Sequence, residues 1–149
     1  MSIKQPLNVY NGDMELVWNG NFSAVRSDQL HKAQEFVDSE CVRLMKPYTP
    51  FRNGKLEKAA TIGTVIGSGE IHQNTPYSRY QYYGMLMVSS ITGSPFASQG
   101  EEKILTDIPL KHDKSKHPQA GPFWFERMKA DHKEKILRGA AKIMGGNAE

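Results

Sequence analysis

Cysteine is nearly absent from this 149-residue chain: Cys41 stands alone, so no intrachain disulfide can staple the fold. No run approaches the roughly 20 consecutive apolar residues of a membrane-spanning helix. The opening segment MSIKQPLNVYNGD has no apolar stretch of secretory-signal length, and the expectation is folding in a cytoplasm. Charge of one sign is not concentrated either. The net charge is +3 and is spread along the chain, whereas nucleic-acid binders carry dense basic patches. The one short basic run, Lys111, Lys114 and Lys116, is interrupted by Asp113 and reads as a solvated loop.

Catalytic and metal-binding constellations are missing as well. The histidines are His31, His72, His112, His117 and His132, with neither HExxH nor a Cys–His set at zinc spacing. His112 and His117 share one loop, which is a sparse metal signal, and His132 falls on a helical apolar stripe, where a core histidine is the simpler reading. Glu101–Glu102 and Asp107 do not converge with other carboxylates. Ser68 sits in Gly-Ser-Gly but lacks the G-x-S-x-G elbow of hydrolases. Gly63, Gly67 and Gly69 resemble a phosphate loop only in their glycines. No Lys-Ser/Thr follows, so hairpin punctuation is the simpler reading. Cys41, among Val37, Val42 and Leu44, reads as a small buried hydrophobe. The expectation is a chain without catalytic residues, metal or cofactor.

What is present describes one domain, residues 1–149, of α+β class. At 38% hydrophobic and 23% charged, the chain can bury a core of ordinary size. Leu30, Ala33, Val37, Cys41 and Leu44 recur every three or four residues and predict a helix over about 27–46, with Ser27 as N-cap and Pro47 as stop. Phe125, Met128, His132, Ile136, Ala140 and Ile143 form a second stripe, over about 122–144. Pro122 opens it and Gly145–Gly146 closes it. Asn11–Gly12 predicts a short hairpin, with a helical turn at 14–18 as the alternative. TIGTVIG, residues 61–67, reads as a strand and 70–72 as the start of its partner; 85–91 reads as another strand. The two helices are expected to pack on a small, mostly antiparallel sheet. The segment from about 92 to 121, rich in proline and charge, reads as a long loop in which Ile104, Leu105, Ile108 and Leu110 could dock.

One stretch stands out. TPYSRYQYYG, residues 75–84, holds Tyr77, Tyr80, Tyr82 and Tyr83, four of the chain's six tyrosines, around Arg79. Their spacing is partly helical. Tyrosine and arginine are enriched at binding hot spots, and buried tyrosines need partners for their hydroxyls. Core, protein interface and base-stacking surface are the three physical readings. The lack of a basic groove weakens the last.

Three motifs in order carry a resemblance. They are the Leu30–Met45 helix running into PYTPFRNGKL, then GSGEI followed by TPYSRYQYYG, and then ILTDIPLKHDKSKHPQAGPFWFERMKADHKEKIL. Together they resemble the minor capsid proteins of tailed bacteriophages, which are related to neck and tail-completion proteins. The segment between Gly84 and Pro122 is longer here than in compact members. The resemblance implies a virion structural protein of the head–tail connector, a homo-oligomeric ring assembled in the bacterial host cytoplasm. Its implied partners are itself, head-closure proteins, and tail terminator or tail tube proteins. Packaged DNA would pass through the ring without sequence-specific contact, and no membrane is involved. The implied subunit interface comprises Tyr77, Arg79, Tyr80, Tyr82 and Tyr83, with Phe123, Trp124 and Arg127 beside them. Lys111, Lys114 and Lys116 are the candidates for a loop facing DNA or an adjacent ring. A tail terminator capping the tail tube is the alternative role, and a phage nucleic-acid-binding protein a more distant one.

Overall fold

The computed structural model describes residues 2–146. A hairpin comes first: β1 (Val9–Asn11) pairs antiparallel with β2 (Met14–Leu16) across Gly12–Asp13, and Gly12 takes the positive φ that a two-residue turn requires. Helix α1 (Phe22–Met45) begins earlier than the pattern predicts. Ser27 is not its cap: the Ser27 hydroxyl accepts a hydrogen bond from the Ile3 amide at 3.0 Å. The extra turn is held by the Phe22 ring against Trp18, 4.9 Å between centroids. Gln5 Oε1 accepts from the Ser23 amide at 3.1 Å, which satisfies one of the orphan donors of a helix N-terminus. Pro47 lies in the 3₁₀ turn that ends the helix.

Residues 61–67 are not a strand. Thr61–Gly63 form the last turn of α2 (Lys55–Gly63), and the chain then turns at Val65–Ser68. The helix wins because Asn53 Oδ1 accepts from the Lys55 amide and because Leu56 and Ala60, four apart, bury into the core. That tertiary packing overrides the β-branched composition of the run. Ile62, Val65 and Ile66 stay exposed. Residues 70–72 form no strand either; the Thr64 hydroxyl accepts from the His72 amide instead.

The tyrosine stretch forms α3 (Ser78–Tyr83), which ends at Gly84 in left-handed conformation. The expected strand follows as β3 (Met85–Ser89). Its partner lies inside the presumed long loop: β4 (Lys103–Pro109) pairs antiparallel with β3, with an irregularity between Met85 and Met87. The strands therefore make two separate two-stranded sheets. The last helix, α4 (Trp124–Ile143), matches the predicted stripe. Its C-terminus closes with the Gly146 amide donating to the Ala141 carbonyl at 2.8 Å, a glycine closure of the expected kind.

The architecture is α+β, and its centre is α1 packed on α4. Cys41, Leu44, Met45, Tyr48, Leu56, Ala60, Trp124, Met128 and Ile136 form the buried cluster. Gly139 marks the closest approach, since a Cβ there would overlap the Phe36 ring. No helix among the described residues is long and apolar enough to cross a membrane.

Candidate interaction surface

The tyrosine stretch and the start of α4 are adjacent because the chain ties them at the backbone. The Phe123 amide donates to the Tyr82 carbonyl at 2.8 Å, and the Leu110 amide to the Gly84 carbonyl at 2.8 Å. A Cβ on Gly84 would lie 2.8 Å from the Pro122 Cβ, so only glycine permits this approach. Phe123 adopts φ 50°, a costly conformation for a bulky residue. It turns the chain between the Tyr82 contact and the first turn of α4.

The result is an aromatic ladder running from core to surface. Tyr82 packs edge-on against Trp124 at 4.8 Å, Phe123 at 5.5 Å and Tyr83 at 5.7 Å between centroids. Tyr83 and Phe123 close the set at 5.9 Å. Such edge-to-face pairs each add about 0.5–1.5 kcal/mol beyond area burial. Trp124 is 2% exposed and anchors the ladder, while Tyr83 (47%) and Phe123 (42%) surface from it. Trp124 Nε1 donates to Gln73 Oε1 at 3.1 Å, so its polar edge is satisfied inside the chain. Burial, with the Glu126 charge next, raises the Tyr82 pKa above the usual phenol value.

The other predicted interface residues divide. Tyr77 packs on the core. Tyr80 lies under the Lys103 ammonium, 5.4 Å from the ring centroid. Arg79 is exposed. Arg127 is engaged within the chain: it donates to the carbonyls of Pro122 (2.8 Å), Gln119 (2.7 Å) and Tyr48 (3.3 Å) and covers the Tyr48 ring. It shapes the segment before α4. The exposed rim of the patch is thus Arg79, Tyr83 and Phe123, backed by Tyr82 and Trp124.

The three loop lysines do not gather into one patch. Lys116 sits 3.8 Å above the Phe51 ring, and Lys114 borders a shallow hollow beside Tyr48 and Asp131. Lys111 lines a groove of about 690 Å³ with Arg52, Lys55, Tyr77, Tyr80 and His112. His112 Nε2 donates to the Gln81 carbonyl at 2.9 Å, which fixes the groove wall to α3. Arg52 and Lys55 were not singled out from the sequence, although they flank the Asn53–Gly54 turn that presents them. Among the described residues no group of three metal-binding side chains converges.

A family model described as minor capsid protein matches residues 18–144. The chain belongs to that family, whose members are structural components of the phage virion. No curated protein and no solved structure matches the chain.

Proposed function

We propose that this phage minor capsid protein works at the head–tail junction, as a ring that helps join the DNA-filled capsid to the tail. The observation that carries the reading is the aromatic ladder. Tyr83 and Phe123 are large rings held at the surface on a buried Trp124 anchor, and rigid aromatics of this kind are the usual energetic centre of a protein contact. The role is assembly rather than catalysis. In this reading Tyr77, Arg79, Tyr80, Tyr82, Tyr83 and Phe123 belong to subunit contacts, Trp124 and Arg127 support them from within, and head-closure and tail proteins lie above and below.

Electron microscopy of intact particles, with the chain carrying a visible tag, tests this. Density for the tagged chain in the neck is expected. Its absence from the neck would overturn the reading. A phage lacking the gene is expected to make tails of normal length that fail to join heads. Overlong tail tubes would instead assign the role of tail terminator.

A further inference from the structure

The β3–β4 hairpin is apolar where it faces nothing. Successive strand residues point to opposite faces, and Ile104 and Leu105 are both exposed on β4, as is Ile108. The connecting segment 90–102 adds Ile91, 76% exposed, and Phe96, 87% exposed. An isolated two-stranded sheet is marginal in water, and hydrogen bonds close the tip of this one. The Ser89 amide donates to the Ser94 carbonyl at 2.8 Å and the Ser90 amide to the Glu102 carbonyl at 3.0 Å. The Ser89 hydroxyl donates to Glu101 at 2.7 Å. Segment 90–102 contains two carboxylates, Glu101 and Glu102, and no Lys, Arg or His; the adjoining Lys103 ammonium turns back to donate to the Pro95 carbonyl at 2.8 Å. With Glu101 occupied by Ser89, Glu102 is the acidic group turned outward.

The groove described above has the opposite character. Arg52, Lys55 and Lys111 line it and form no ion pair among the described residues. Asp113 is its one carboxylate, and Tyr77 and Tyr80 supply its rings. One chain therefore carries two unlike surfaces, one acidic with an exposed phenylalanine and one basic with tyrosines. Unlike surfaces that fit each other make a head-to-tail contact, which closes into a ring when the rotation allows.

We propose that the 90–102 tip of one copy docks in the Arg52–Lys55–Lys111 groove of the next copy. Phe96 packs against Tyr77 and Tyr80, and Glu102 faces the cations. The proposal rests on the ring reading and names the contact within it.

Light scattering of the full chain over a concentration series tests it. The wild type is expected to associate, and less so at raised salt. Phe96→Ala is expected to weaken association about ten-fold or more. Glu102→Lys and the double variant Lys55→Glu/Lys111→Glu are each expected to stay monomeric. Mixing these two restores association, because each tip then meets a groove of opposite charge. All four side chains are exposed, and circular dichroism checks that each variant keeps its fold. Variants that associate like the wild type would overturn the contact while leaving the ring standing. A wild type that stays monomeric throughout would overturn it too, with the neck location still judged by microscopy. So would a monomer whose groove cations bind a single-stranded oligonucleotide and lose it in Lys55→Glu/Lys111→Glu.

Discussion

Asp38 shows what one buried carboxylate does for a glycine loop. It lies on α1, 3% exposed. Its Oδ2 accepts from the amides of Gly67 (2.8 Å) and Gly69 (3.0 Å), and its Oδ1 accepts from Gln34 Nε2 (2.7 Å). Both glycines have positive φ, 94° and 78°, so side chains there would strain the backbone that aims the amides. The glycines that read as hairpin punctuation are thus a clasp around a charge. Nothing local in the sequence pairs residue 38 with residues 67 and 69. Asp38→Ala is expected to cost about 3 kcal/mol, since charge-assisted bonds and buried donors are lost together. Chemical denaturation measures the loss, and the amides of Gly67 and Gly69 should exchange faster in the variant.

Tyr48 gives a pH prediction at the same scale. Its buried hydroxyl donates to Asp131 Oδ2 at 2.6 Å. That bond, with burial next, raises its pKa above the phenol value. Burial also raises Tyr80 and Tyr82. A folded pKa above the unfolded value of about 10 means the contribution is full below pH 10 and lost as pH rises through the folded values. Thermal midpoints should therefore fall above pH 10. Tyr48→Phe should flatten part of that fall. An unchanged profile in Tyr48→Phe would show that this hydroxyl is not among the linked groups.

Among the elements, the α1–α4 pair depends on Gly139. A glycine inside a helix is unfavourable by about 1 kcal/mol relative to alanine, yet here it admits the Phe36 ring. Gly139→Val is expected to destabilise by about 2 kcal/mol through overpacking, read as a lower denaturation midpoint. Both helices were legible because their apolar stripes run for several turns. The tyrosine helix and the strand at 85–89 were legible from spacing and from Gly84. Helix α2 was not, because Thr61, Ile62, Thr64, Val65 and Ile66 have strand-forming side chains while burial of Leu56 and Ala60 decides the outcome. Strand β4 was hidden by Pro109 at its end and by the charges of Lys103 and Asp107. Its pairing, Met87 with Leu105 and Val88 with Ile104, joins residues separated by a long turn and has no local signature.

At the scale of the whole molecule, both hairpins carry exposed apolar side chains. Leu7, Val9, Met14 and Leu16 line the first hairpin, and Ile104, Leu105 and Ile108 the second. Two-stranded sheets with few tertiary partners open easily, so hydrogen exchange should be fast in both hairpins and slow in α1 and α4. Assembly on neighbours should slow it in whichever hairpin is covered. Of the candidate surface, the clustering of the tyrosines was legible from composition, whereas Phe123 entered only through the family resemblance. The groove was not, because its walls come from residues 50–56, 77–81 and 111–113, three segments that only the folded chain brings together.

The packing of α1 on α4 also sets an order of events during synthesis. Residues 22–45 are made before residues 124–143, the surface that covers them. Contacts of such long sequence separation form late and slowly. Until Trp124 and Met128 arrive, the apolar stripe of α1 has no lid, and a chain broken off before that point presents it to proteases and chaperones. The fold thereby makes burial of the first long helix wait on α4: a polypeptide without residues 124–143 leaves that stripe uncovered.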